Sequence, residues 1–200
     1  MSGGDEQAMP GEPRQVILFT GHMVDAPGRS LPRFPAALVP AAARRIGAAL
    51  DAIDAGTKDL ALTQGAAGGD LLFAEACLER GVTLRLMLPL AEPEFAQLSL
   101  LPVQDGAAWR ARYRAVVARL DAPPREAPEV LGALAEGDDP FVRGNRWLLD
   151  TALAFGAERL RCICLWDGGG GDGPGGTRHL VDAVRAVGGD VQWIDTRELG

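Results

Sequence analysis

The sequence predicts an α/β protein, an open parallel sheet of about five or more strands with helices on both faces. Two observations carry this prediction. Short apolar runs alternate along the 200 residues with alanine- and leucine-rich stretches of helical spacing, and glycine-bearing turns close several of the apolar runs. Strand and helix signals in alternation build parallel βαβ units.

Residues 1–14 are polar and glycine-rich and read as a disordered lead-in. Residues 15–20 (QVILFT) form a buried strand that ends at Gly21-His22. A loop studded with Pro27, Pro32 and Pro35 and carrying Asp25, Arg29 and Arg33 leads to a helix over 36 to about 55, closed near Gly56. Residues 60–64 are the second strand, which runs into Gly65-Ala66-Ala67-Gly68-Gly69-Asp70; a helix follows over 71–80 and a third strand over 82–88, stopped by Pro89. Helical patterns come near 92–99 and 107–120, then a proline-rich connector at 122–128 and a helix over 141–155 with Asn145, Arg146 and Trp147. These middle helices are expected to cover the sheet or a ligand cleft. Residues 159–166 are the fourth strand, 177–187 a helix and 190–195 the last strand. No repeat and no second domain is evident, so 15–200 reads as one domain.

Composition narrows the function classes. Hydrophobic residues at 47% and charged residues at 24% suit a soluble domain with an ample core. Cys77, Cys162 and Cys164 form no ligand cluster, so no metal site is expected; buried reduced thiols point to the cytoplasm. No run approaches the roughly 18 to 20 apolar residues that span a bilayer, and the first 14 residues lack the apolar region of a signal peptide. A net charge of −7 argues against an extended nucleic-acid partner. Lys58 is the only lysine, which excludes a Walker-A loop, whose lysine contacts the phosphates.

The most telling segment is Trp166-Asp167-Gly168-Gly169-Gly170-Gly171-Asp172-Gly173-Pro174-Gly175-Gly176-Thr177, a glycine-packed passage from strand to helix. Such a loop brings backbone N–H groups close to an anion, with a helix dipole behind them, so it reads as a phosphate site; a flexible linker is the plainer alternative. Parallel sheets bind ligands beyond the carboxyl ends of their strands. Three glycine-bearing turns fall at such ends, around Gly21, around Gly65, Gly68 and Gly69, and at Gly173, Gly175, Gly176 and Thr177, and they are expected to converge on one crevice.

Several side chains beside these turns are candidates. His22 and His179, the only histidines, could contact phosphate or move a proton. Asp70 is a ligand contact or a helix N-cap. Glu75 reaches the crevice or faces solvent, and Asp167 accepts from ribose hydroxyls or caps the turn. Arg29, Arg33, Arg143 and Arg146 are possible phosphate clamps. The run from Gly171 to Gly176 also satisfies G-x-G-x-x-G, with Asp195 at the end of the next strand. Its proline, its place after the fourth strand and the lack of a second mononucleotide half rank a nicotinamide dehydrogenase low.

Together, Phe19-Thr20-Gly21-His22, the stretch from Gly65 to Glu75, Leu88-Pro89, Asn145-Arg146-Trp147, Leu165-Trp166-Asp167 and the run from Gly171 to Thr177 resemble the SLOG superfamily. This Rossmann-like group relates the Smf/DprA proteins to the Lonely-guy cytokinin-activating phosphoribohydrolases. More narrowly, the set is similar to bacterial domains found alone or fused to TIR, tetratricopeptide or cyclase modules. The resemblance implies a Rossmannoid fold that binds a nucleotide or nucleotide-derived ligand as a sensor in signalling or defence. Pro174-Gly175-Gly176-Thr177 looks like a shortened form of the Lonely-guy P-G-G-x-G-T-x-x-E signature. Where those enzymes have a glutamate three residues after the threonine this chain has Leu180, and the nearby carboxylate is Asp182. Losing a carboxylate that stabilises an oxocarbenium-like transition state removes catalysis before it removes phosphate binding. Binding without turnover is the first expectation. A nucleoside monophosphate N-glycosidase, with Glu75, Asp182, His22 or His179 replacing the missing glutamate, is the second. A scaffold that associates through the proline-rich middle is the third. No cofactor beyond the nucleotide itself is expected, and a homo-oligomer or an effector protein is a possible partner.

Overall fold

A computed structural model describes residues 11–170 and 173–200. The expected lead-in over 1–10, and Gly171 and Asp172 of the G-x-G-x-x-G run, lie outside the described residues. Six strands form one parallel sheet: β1 (Val16–Gly21), β2 (Leu60–Thr63), β3 (Thr83–Leu88), β4 (Arg125–Glu126), β5 (Leu160–Trp166) and β6 (Val191–Asp195). Their order is β4-β3-β2-β1-β5-β6. Seven α-helices surround the sheet among the described residues: α1 (Val39–Ala52), α2 (Gly69–Glu79), α3 (Glu92–Ser99), α4 (Gly106–Val117), α5 (Ala127–Leu131), α6 (Pro140–Leu153) and α7 (Thr177–Ala186). This is the Rossmann-like α/β architecture that the strand and helix alternation predicts.

The period of two along each strand decides which side chains meet which layer. On β1, Ile17 and Phe19 join the core shared with α1, α2 and α4, where Phe19 stacks on Phe73 with ring centroids 4.6 Å apart. Val16 and Leu18 face the opposite layer with Leu60, Leu62, Leu148 of α6 and Leu180 of α7. Each such fully buried aliphatic side chain contributes roughly 1.5–3 kcal/mol of transfer free energy, which is why the central strands are apolar on both faces. Cys162 falls in the α6–α7 layer and Cys77 in the other; both thiols are buried, and burial raises both above their ordinary pKa. Among the described residues no helix is long and apolar enough to cross a membrane.

Two places depart from the sequence expectation. The connector at 122–128 contains β4, which pairs in parallel with the end of β3 (Met87↔Arg125, Leu88↔Glu126), and α5 starts directly after it. Two residues are too few to show an alternation, and Pro123-Pro124 before them favour the extended backbone that an edge strand needs. The lead-in also ends sooner than expected. Arg159 donates to the Pro13 carbonyl at 2.6 Å and pairs with Glu12, while Arg14 pairs with Asp59 at 2.8 Å, so the chain is tied to the body from Glu12 onward.

Asp59 anchors the amino ends of β1 and β2. Its fully buried carboxylate accepts from the Arg14 guanidinium, the Gln15 amide and the Gly56 backbone N–H. Burial alone raises its pKa, but these donors outweigh burial and hold the carboxyl below its ordinary value. A carboxyl with a lowered folded-state pKa adds stability that is present above its unfolded value and lost as pH falls through the folded one. Asp59→Asn is therefore expected to cost about 1.5–3 kcal/mol at neutral pH. Urea unfolding checks this, and the difference from wild type should shrink as the pH is lowered below about 4.

Candidate functional site

The chain enters the sheet at β1, builds outward through β2, β3 and β4, and returns to add β5 on the other side of β1. The strand order thus reverses between β1 and β5, and a crevice opens beyond their carboxyl ends. A cavity of about 330 Å³ occupies this place. The end of β1 supplies Gly21 and His22, the loop after β2 supplies Ala66, the first turn of α2 supplies Asp70, β5 supplies Trp166, and the glycine loop supplies Gly173, Gly175, Gly176 and Thr177. The three glycine-bearing turns converge, as their positions in the chain predict.

Local chemistry explains the shape of each wall. Gly68 has φ +115°, and a Cβ there would lie 2.7 Å from both the His22 carbonyl oxygen and the Val24 nitrogen. Its lack of a side chain lets the β2–α2 loop lie against the segment after β1, where Val24 N–H donates to the Ala67 carbonyl and Gly69 N–H to the His22 carbonyl. Gly65 and Gly69 serve this same loop; with Gly68 they shape the wall and do not line the cavity. Asp70 lies inside the first turn of α2 and is not its N-cap, which is Gly68. Its buried carboxylate accepts from the backbone N–H of Gly65 and Ala66 and closes the loop on itself. Burial, opposed by those donors, pushes its pKa up to about 6.

The glycine loop is fixed at both ends. At its start, Asp167 accepts from Gly169 N–H at 2.8 Å and Trp166 Nε1–H donates to the Gly169 carbonyl at 3.0 Å. At its end, Gly175 sits on the amino end of α6, where a Cβ would come 2.4 Å from Phe141 Cβ and 2.7 Å from Val142 N. Asn145 of α6 secures that contact. Its amide donates to the Gly175 carbonyl at 2.8 Å, while its oxygen accepts from the Gln64 amide at 2.9 Å. Gly176 N-caps α7 without a side chain to occupy the first N–H groups of the helix, so the positive end of the α7 dipole borders the cavity. α2 offers no such end, since Asp70 and the His22 carbonyl already stand there.

His22 is almost wholly buried, with Nε2 lying 3.0 Å from Asp167 Oδ1. Burial lowers its pKa; Asp167 opposes the shift and the Arg33 charge adds to it. Asp167 is itself held below its ordinary pKa, because the Gly169 N–H, His22 and Arg33 outweigh the effect of burial. Arg33 lines the cavity.

Other candidates lie elsewhere. Glu75 turns to α4 and pairs with Arg112 (Nε–Oε1 2.8 Å), because the helical turn carries it past the crevice. Asp182 lies on the exposed face of α7 beside Arg178, and Arg146 is 82% exposed beside Asp150. Arg143 donates to the Gly132 carbonyl, and Arg29 to the Leu31 carbonyl with Asp25 nearby. His179 is half-buried and approaches the Asn145 amide at 3.4 Å, behind the loop and outside the cavity lining. Asp167 also stands outside the lining and reaches the cavity only through His22. Both carboxylate oxygens of Asp195 are engaged by Arg197, away from the cavity.

Asp139 and Phe141 at the start of α6, and Leu98 and Ser99 at the end of α3, also line the cavity and are not among the candidates above. Asp139-Pro140 carried a usable signal, since aspartate before proline is a common helix start, and Asp139 does accept from Phe141 N–H and Val142 N–H at 2.8 Å each. Nothing local marks Leu98 or Ser99.

Gly175→Ala is expected to destabilise the fold by about 1–3 kcal/mol through overpacking against α6. Gly173→Ala, with nothing within 4 Å of its Cβ position, should stay within about 0.5 kcal/mol of wild type; denaturant unfolding of both variants checks the contrast. Because Asp70 has a raised pKa, its neutral form is favoured by folding, and its contribution is present below the unfolded value and lost as pH rises through about 6. Between pH 4 and 7, Asp70→Asn should therefore show less decline in stability than wild type, measured by thermal unfolding over that range. No protein-family model matches this chain, and no curated protein matches it in sequence.

Proposed function

We propose that this protein binds a nucleotide or nucleotide-derived ligand in the crevice between β1 and β5 and acts as a cytoplasmic sensor module, without turning the ligand over. The observation that carries the reading is the convergence of three separately encoded turns and the uncapped amino end of α7 on one cavity of about 330 Å³. That volume lies at the lower end of small-molecule sites. The phosphate would take the N–H groups at the amino end of α7, beginning with Thr177, with the α7 dipole behind them; the Gly176 N–H already donates to the Gly173 carbonyl. Arg33 adds a local positive charge that a net charge of −7 does not cancel at close range. Phe19, Met23, Leu98 and Phe141 offer apolar surface to a base.

Placement of the carboxylates supports binding over hydrolysis. Glu75 and Asp182, the proposed substitutes for the glutamate that Lonely-guy enzymes use, are paired with arginines outside the cavity. Neither could stabilise an oxocarbenium ion formed there.

Thermal denaturation against a panel of nucleotides, with mass spectrometry of each incubated sample, tests the proposal. A ligand at 100 times its Kd adds about 2.7 kcal/mol and raises the midpoint. A raised midpoint with intact ligand is expected, and Gly173→Asp should abolish the shift, because it adds a charge at the phosphate in open space without disturbing α6. Release of free base would overturn binding without turnover, and no shift across the panel would overturn the nucleotide assignment.

A further inference from the structure

His22 has a fixed backbone: its N–H donates to the Leu165 carbonyl at 2.9 Å and its carbonyl accepts from Gly69 N–H at 3.0 Å. Burial and the contact with Asp167 then hold the ring between the ends of β1 and β5. Its Nε2 meets two groups of the same residue, the Asp167 carboxylate Oδ1 at 3.0 Å and the Asp167 backbone nitrogen at 3.2 Å. A neutral ring nitrogen donates or accepts, so the two contacts demand opposite tautomers. A hydrogen bond to an ionised acceptor is roughly twice as strong as a neutral one. A bare Nε2 lone pair set against a carboxylate oxygen would also be repelled. The proton therefore belongs on Nε2, directed at Asp167, and Nδ1 is left as an acceptor. Among the described residues Nδ1 makes no hydrogen bond, and His22 lines the cavity between β1 and β5.

We propose that Nδ1 of His22, kept unprotonated by Asp167 on the far edge of the ring, is a specificity-determining acceptor that reads a hydroxyl or N–H donor on the ligand of this cavity. Resting on the nucleotide reading, the donor is a ribose hydroxyl, and the ligand acquires a direction. Phosphate oxygens carry lone pairs and are repelled by Nδ1, so they go to the α7 end, where N–H groups face them, and the sugar goes to the β1 end. Asp167 is a positioning residue that acts through the imidazole without touching the ligand. Burial keeps the ring neutral, with Asp167 at the end of β5, and Arg33 and Asp25 from the loop after β1, as the charged groups that act on it. The second binding candidate, His179, has no comparable partner; its Nδ1 is turned to the Asn145 amide.

The tautomer is read without any ligand. With histidine labelled at both ring nitrogens and the two rings assigned by comparison with His22→Gln, long-range nitrogen–proton correlation spectra should show His22 protonated on Nε2. A proton on Nδ1 overturns the proposal. Asp167→Asn keeps an oxygen for Gly169 N–H and can turn its amide N–H toward Nε2, which should move the proton to Nδ1. In binding, ribonucleoside 5′-monophosphates should bind about tenfold more tightly than whichever of their 2′-deoxy or 3′-deoxy analogues lacks the hydroxyl that is read. Asp167→Asn should reduce that preference to less than about twofold. Equal affinity of wild type for the ribo and both deoxy forms overturns the proposal. If no nucleotide binds at all, the nucleotide assignment fails, and the wild-type tautomer alone decides whether His22 offers an acceptor.

Discussion

The carboxamide of Asn145 is the interaction on which the geometry of the crevice depends. It is buried at the carboxyl ends of the strands, and it joins the end of β2, through Gln64, to the glycine loop, through Gly175. A buried amide that makes both kinds of hydrogen bond is strongly directional, since an unpaired donor or acceptor there costs about 1–3 kcal/mol. The glycine loop has few side chains with which to hold itself. Its place is set from outside, by Asn145 and the amino end of α6 at one end and by Asp167 and Trp166 at the other. Gly175 then becomes a packing residue, and Gly173 is left open to the cavity.

The electrostatics of the cavity follow from the same parts. Asp70 and Asp139 line it and are spent on backbone N–H groups, of the β2–α2 loop and of α6 respectively. Asp167 is spent on Gly169 and His22. Each carboxylate satisfies a turn or a helix end, while the amino end of α7 borders the cavity and Arg33 and His22 line it. An acidic protein can in this way present a locally electropositive patch, because helix-end and guanidinium charges act within a few ångströms while net charge is screened beyond about 8 Å in physiological salt.

Much of this was legible in the chain. Apolar runs at 15–20, 60–64, 82–88 and 159–166 lie in strands of the sheet because their side chains suit burial on both faces, and the glycine turns after them fall at strand ends as the βαβ repeat requires. Gly21, His22, Asp70, Gly173, Gly175, Gly176 and Thr177 were recognisable as candidates because they stand at those ends, and Asn145 through the family resemblance. Glu75 and Asp182 were misleading for a rotational reason. Each helical residue advances about 100°, so a carboxylate near a helix start faces the crevice, a neighbouring helix or solvent according to a phase that spacing alone does not fix. Here Arg112 on α4 and Arg178 on α7 take them. The strand at 125–126 was hidden because pairing with Met87 and Leu88, and not its own composition, makes it a strand.

The sequence by itself determined the class of fold, the parallel direction of the strands and the end of the sheet at which polar chemistry gathers. These depend on local periodicity and on turn residues, which each segment carries alone. Tertiary structure decided which side chains share the cavity, that Asp70 closes a loop, that Asn145 holds the glycine loop, and that Asp167 reaches the cavity only through His22. Those outcomes depend on contacts between residues as far apart in the chain as His22 and Asp167, set by the addition of β5 beside β1. No local pattern encodes such a contact, because it exists only once the sheet has assembled.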